Sequence, residues 1–166
     1  FSYLAEEVSF QNAAAGITLS GTLTRPESGP ADQVIILISG SGPQNRYSEI
    51  MNHRAFMVWA DYLSRQGIAV LRFDDRGVGA SEGDFGAATS LDFASDVMAA
   101  IDFITAHPLF GNSSIGLLGH SEGGMIAPIV AVERPTDVAF LVLLAAPGVP
   151  IDELMYAQYS QVIKGQ

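Results

Sequence analysis

The sequence contains no cysteine, which excludes a disulfide framework, a thiolate zinc site and a thiol nucleophile together. Basic residues are scarce: 8 Lys+Arg stand against 18 Asp+Glu, giving a formal charge of −10 and a pI near 4.4. A phosphate backbone or an anionic bilayer surface would be repelled by that charge, so neither a nucleic-acid nor a membrane partner is expected. Long apolar runs are missing too. The longest, Val34 to Ile38 and Ala139 to Ala146, fall far short of the ~20 residues a spanning helix needs. No basic segment followed by an apolar stretch opens the chain, and a soluble protein is expected. Without cysteine the compartment stays open between secreted or periplasmic and cytoplasmic. The chain begins at Phe1 rather than Met, as either a processed signal peptide or a cut boundary would leave it.

The sequence does have enough apolar residues for a core. Of its 166 residues 48% are hydrophobic, well above what a permanently solvated chain carries, and its 17 glycines show no three-residue period, so disorder and collagen are both excluded. The length fits one domain or part of a larger one. Val8 to Phe10 and Ile17 to Thr24 alternate apolar and small polar residues around Ala13–Gly16, the two-residue period of a half-exposed antiparallel hairpin. Val34 to Ile38 is continuously apolar and β-branched, the mark of a strand buried on both faces. Helical spacing over Ala55 to Leu63, with Gly67 as a C-terminal stop, precedes a strand over Ile68 to Phe73. A helix over Leu91 to Ile104, a strand over Ile115 to Leu118, a helix over Glu122 to Val132 and a buried strand over Ala139 to Ala145 follow. Strands alternating with helices predict an α/β fold: a mostly parallel sheet behind an N-terminal antiparallel hairpin, with helices on both faces. Pro128 lacks an N–H and is expected to kink or unwind its helix. From Ile151 onward an amphipathic helix begins.

The sharpest chemical signal is Gly119-His120-Ser121-Glu122-Gly123, a G-x-S-x-G between a predicted strand and a predicted helix. So tight a turn strains its central residue, demands small neighbours two positions away and pushes the serine Oγ out above the sheet. The helix N-terminus then offers free N–H groups where a tetrahedral oxyanion would form, the Glu122 N–H among them.

Two further landmarks precede the elbow, Gly40-Ser41-Gly42-Pro43 after the first buried strand and Asp75-Arg76-Gly77-Val78-Gly79-Ala80-Ser81 after the next. With them the chain resembles the α/β-hydrolase superfamily, and most nearly its dienelactone-hydrolase-like and prolyl-oligopeptidase-like esterases. The first landmark matches the position of the family's H-G-x oxyanion loop, with Ser39 where many members carry histidine. The second covers the last seven positions of a D-x-R-G-x-G-x-S turn of structural use, with Asp75 at its x. The resemblance implies Ser121 as nucleophile, the N–H groups of Ser41 and Glu122 as the oxyanion hole, and Gly42 in place of Ser41 if the loop register differs by one. It implies a small-molecule acyl substrate, a carboxylic ester or related acyl bond, with no metal and no cofactor.

Other readings attach to the same residues. Gly77-Val78-Gly79 hints at a dinucleotide loop, but Glu82 stands where its third glycine is needed and would face pyrophosphate. His53 and Arg54 follow the oxyanion loop and are candidates for the site rim. His107, before Pro108, suits a helix end, and His120 should point away from its neighbour Ser121.

In the family that the chain resembles, the triad runs serine, acid, histidine along the sequence. After Ser121 this chain has no histidine, and its only aspartates are Asp137 and Asp152. The expectation is an N-terminal part of a hydrolase domain over 1–148, followed by the start of a lid or cap helix over 149–166. The acid, the histidine and the C-terminal strands would then lie elsewhere, leaving the 166 residues inactive alone. Strand 139–145, apolar on both faces, would expose an edge suited to self-association. The competing class is a non-catalytic binding or interaction module that keeps the elbow as scaffold.

Overall fold

In a computed structural model of the chain, which describes residues 2–164, β1 (Tyr3–Asn12) and β2 (Ile17–Pro26) pair antiparallel from Tyr3 opposite Pro26 to Asn12 opposite Ile17. This is the hairpin that the alternation predicts. Its turn closes through the Gly16 N–H on the Asn12 carbonyl at 2.9 Å. Next come β3 (Gln33–Ile38), a short hairpin of β4 (Glu49–Ile50) and β5 (His53–Arg54), α1 (Ala55–Arg65) and β6 (Ala69–Phe73). The remaining elements are α2 (Ser90–Ala106), β7 (Ser114–His120), α3 (Gly123–Glu133), β8 (Val138–Leu144) and α4 (Ile151–Lys164). The main sheet has the order β1-β2-β6-β3-β7-β8; β6, β3, β7 and β8 are parallel, and β2 joins them antiparallel to β6.

The unbroken apolar run of β3 is explained by what lies on each side of it. Val34, Ile36 and Ile38 face a cluster that takes in Val97, Ile101 and Ile104 of α2 and Ile126 of α3. Ile35 and Leu37 point the other way, into a second cluster with Phe56 and Ala60 of α1. Each such side chain contributes about 1.5–3 kcal/mol on burial. Helices therefore cover both faces, as the α/β pattern implies.

Three local expectations are corrected. Helix α3 starts at Gly123 rather than Glu122, which is its N-terminal flanking residue, and Pro128 lies inside the helix without ending it. The last strand ends at Leu144, not Ala145, whose φ is +50°. It is not fully buried: Ala139 and Leu143 are exposed, because β8 pairs only with β7 and its outer edge has no partner among the described residues. The predicted amphipathic helix is α4, which begins at Ile151 and has no buried residue among those described. No described helix is long and apolar enough to cross a membrane.

Parallel strands end together, so the loops after β3, β6, β7 and β8 gather at one edge of the sheet. In open α/β sheets that carboxyl edge is where ligands bind.

Candidate active site

Between β7 and α3 the chain reverses through Ser121, whose φ of +55° lies in the left-handed region. A residue with a Cβ is held there at a cost of roughly 1 kcal/mol or more. The surroundings enforce it. The Ser121 N–H donates to the Leu144 carbonyl at 2.9 Å, and the Ser121 carbonyl accepts from the Gly124 N–H at 2.9 Å. A Cβ on Gly119 would strike the backbone of Gly123, and one on Gly123 would strike the Ile38 carbonyl, both well inside van der Waals contact. The two glycines of the motif thus permit strand, turn and helix to pack. Gly124 serves the same end against Ala146.

The loop after β3 lies beside this turn. A Cβ on Gly40 would stand 3.2 Å from Ser121 Cβ, so the backbone at Gly40 packs closely against the serine. Ser41, Ser121, Glu122 and Met125 line one side of a cleft of about 310 Å3, and Ile151 and Leu154 of α4 line the other. Among the described residues the amides of Ser41 and Glu122 donate to no group of the protein. Both amides are therefore unengaged. The Glu122 side chain is turned aside, accepting the Ser90 hydroxyl at 2.7 Å.

The turn after β6 braces this loop. Asp74 accepts from the Arg46 N–H at 2.8 Å, from its guanidinium at 2.8 Å, and from the Ala80 N–H at 3.1 Å. Arg76 reaches back to Asp96 on α2 at 2.8 Å, a pair buried on the carboxylate side. The Ser81 hydroxyl donates to the Asp74 carbonyl at 2.7 Å. Gly77 and Gly79 accordingly fold round protein groups, with Asp74 Oδ2 only 2.5 Å from where a Gly79 Cβ would be. A dinucleotide phosphate has no cradle there. Asp75 faces the other way, toward Ser39 at 2.6 Å. Burial pushes its carboxyl up to about 6, against the pull of the Ser39 and Gln44 hydrogen bonds.

The histidines are dispersed. His53 and Arg54 sit exposed in the β4–β5 hairpin, where Arg54 pairs with Glu49 at 2.9 Å and stacks on Tyr47, not at the cleft rim. His107 ends α2, but through a different device from the helix-dipole contact its position suggests: its Nδ1 accepts the Leu109 N–H at 3.2 Å and its ring stacks on Phe110. His120 meets Trp59 of α1 edge-on, 6.3 Å between centroids. No described side chain is hydrogen-bonded to Ser121 Oγ. Among the described residues no group of three His, Asp or Glu could hold a metal ion. The lining from Ser90 and Met125 was not foreseen, since helix spacing alone does not say which face meets the elbow; the lining from α4 falls in the segment expected to begin a lid or cap.

The family model for serine aminopeptidase, S33, matches residues 30–165. Esterase EstD of Thermotoga maritima is 28% identical over 140 residues, 84% of this chain and 33% of that esterase. A monoglyceride lipase of Mus musculus is 32% identical over 120 residues, 71% of this chain and 36% of the lipase. The chain thus spans about a third of the length of these curated relatives. Among solved structures, a dienelactone hydrolase from Anabaena variabilis superposes with a TM-score of 0.72 at 23% identity, covering 88% of this chain and 65% of that one. Together with the sheet order and the elbow, these matches place the chain in the α/β-hydrolase superfamily, within the family described as serine aminopeptidase, S33.

Proposed function

We propose that the protein carrying this chain is a serine hydrolase of carboxylic esters or related acyl bonds, with Ser121 as its nucleophile. The observation that carries this reading is Ser121 at φ +55° beside two unengaged amides in one cleft. Ser121 Oγ attacks the acyl carbonyl carbon as its proton passes to a base. The carbonyl oxygen, now an oxyanion, takes hydrogen bonds from the Glu122 and Ser41 N–H groups, and the dipole of α3 adds to them. Collapse expels the alcohol and leaves an acyl-enzyme at Ser121, which water then hydrolyses. Among the described residues no histidine is hydrogen-bonded to Ser121, so the reading takes the base, and with it the orienting acid, from outside these residues, and the chain alone should turn over esters negligibly. An ester is preferred to a peptide because the curated relatives are named an esterase and a lipase. The segment 149–166 would be the start of a cap, a reading supported by Ile151, Leu154 and Met155 lining the cleft.

The test is Ser121→Ala in the whole protein, assayed on a p-nitrophenyl acyl ester and by fluorophosphonate labelling. Turnover should fall to the weak residue that oxyanion binding gives over water, and labelling should disappear. An unchanged rate would overturn the assignment. A wild-type protein that neither turns over esters nor takes the label would favour a binding module.

A further inference from the structure

One buried carboxylate at the carboxyl edge has no part in the chemistry above. Asp75 is only 8% exposed, yet no cation is bonded to it: Arg46 is engaged with Asp74 and Arg76 with Asp96. The charged groups around it are mostly of its own sign. Asp74 precedes it in the turn, Asp96 faces it from α2, and Glu122 at the start of α3 shares with it a small cavity of about 20 Å3, room for roughly one water. Burying a carboxylate in such company is unfavourable, so its hydrogen bonds are informative.

Both run to the oxyanion loop, one on each side of it. Oδ1 accepts the Ser39 hydroxyl at 2.6 Å, and Oδ2 accepts the Gln44 N–H at 2.9 Å. The Asp75 N–H in turn donates to the Gln44 carbonyl at 3.1 Å, so Asp75 and Gln44 are paired reciprocally. Between the two anchors lie Gly40 to Pro43, with Gly42 at φ +86°. The Gln44 side-chain amide reaches back to the Ser41 carbonyl at 3.4 Å. Bonds to an ionised acceptor are about twice as strong as neutral ones, and here they close a four-residue span at both ends.

We propose that Asp75 is a positioning residue of the active site, its carboxylate bridging Ser39 and Gln44 so that the Ser41 amide is held over Ser121 before substrate binds. This rests on the esterase reading above. The loop needs such a clamp because Gly40 and Gly42 leave its backbone otherwise free, and a donor displaced by even 1 Å loses much of its value in the transition state.

Three variants test it. Asp75→Ala removes both bonds. Asp75→Asn can keep both, its carbonyl accepting from Gln44 and its amide donating to the Ser39 oxygen. Ser39→Ala removes one. In the whole protein Asp75→Ala should lower kcat about 10-fold or more, with KM changed less than about twofold, because the lost interaction exists only in the transition state. Asp75→Asn should stay within about threefold of wild type, and Ser39→Ala should fall between them. In the whole protein the Gln44 amide proton should likewise shift with pH through a midpoint near 6, the value to which Asp75 is raised. It should stop doing so in Asp75→Asn. A folded Asp75→Ala with kcat within twofold of wild type, or a Gln44 amide indifferent to pH, overturns the proposal. If Ser121→Ala is as active as wild type, the esterase reading fails and this inference falls with it; if Ser121→Ala is dead while Asp75→Ala is unimpaired, this inference alone fails.

Discussion

Asp75→Asn should make the protein more stable at neutral pH, and by an amount that depends on pH in a calculable way. Burial lifts the Asp75 carboxyl from 3.8 to about 6 in the folded state. The folded chain therefore holds a proton that the unfolded chain has released over the window between those values. Wherever the folded state binds more protons, stability falls as pH rises, so this group's effect is absent below about pH 4 and complete above about pH 6–7. The gap is worth about 3 kcal/mol at pH 7.5 and about 1 kcal/mol at pH 4.5. Asparagine has no charge to bury and can keep both hydrogen bonds. Any fixed cost of its second N–H facing the small cavity is the same at both pH values. The advantage of Asp75→Asn over wild type should then be larger at pH 7.5 than at pH 4.5 by ~2 kcal/mol, a displacement of the urea midpoint by roughly 1 M. Carboxylates remote from Asp75 titrate alike in the two proteins and cancel, and the two that crowd it, Asp74 and Asp96, stay paired with Arg46 and Arg76 in both. Urea titrations followed by far-UV circular dichroism at the two pH values measure it. A difference between wild type and variant that is the same at both, within about 0.5 kcal/mol, would show that Asp75 is not held protonated by burial and would refute the reasoning.

Further outcomes follow from the same geometry. Gly123→Ala would drive its Cβ into the Ile38 carbonyl, a backbone neighbour that cannot yield, so a loss of about 3 kcal/mol or failure to fold is expected by denaturant melt, whereas a loss under 1 kcal/mol would contradict the packing described. Ser41→Ala should change kcat in the whole protein little, and Ser41→Pro, which removes the N–H, should lower it by roughly 100-fold; equal damage from both would mean that the hydroxyl acts instead of the amide. The outer edge of β8, with Ala139 and Leu143 exposed, should make the 166-residue chain self-associate, and Leu143→Lys should reduce this in light scattering; a monomeric wild type at about 100 μM would sink that expectation.

How far the site could be read ahead depended on how local each constraint is. The elbow was legible because its demands fall within five residues: Gly119 and Gly123 are there for backbone contacts that any such strand-to-helix turn must make. The strand core was legible for a similar reason, since an apolar run like Val34 to Ile38 has to be covered on both faces. The β4–β5 hairpin was not, because its strands have two residues each and no period. It turns through Met51 and Asn52 at φ +51° and +63°, a geometry for which glycine or asparagine in both places would have been the signal. Hence His53 and Arg54 were candidates for the rim and proved to be surface residues. The edge exposure of β8 is likewise a matter of neighbours, not of its own composition. The bridge from Ser39 to Asp75 spans 36 residues, and neither residue announces the other. What joins them is strand order. Ile36 of β3 lies beside Leu71 of β6 in the parallel register, so Ser39, three residues on, and Asp75, four residues on, leave the same edge of the sheet side by side. A right-handed crossover between successive parallel strands makes that adjacency the usual one. The serine and the aspartate could thus have been paired once β3 and β6 were taken as neighbours, and the aspartate of a turn assigned only a structural use becomes a clamp on the loop that faces Ser121.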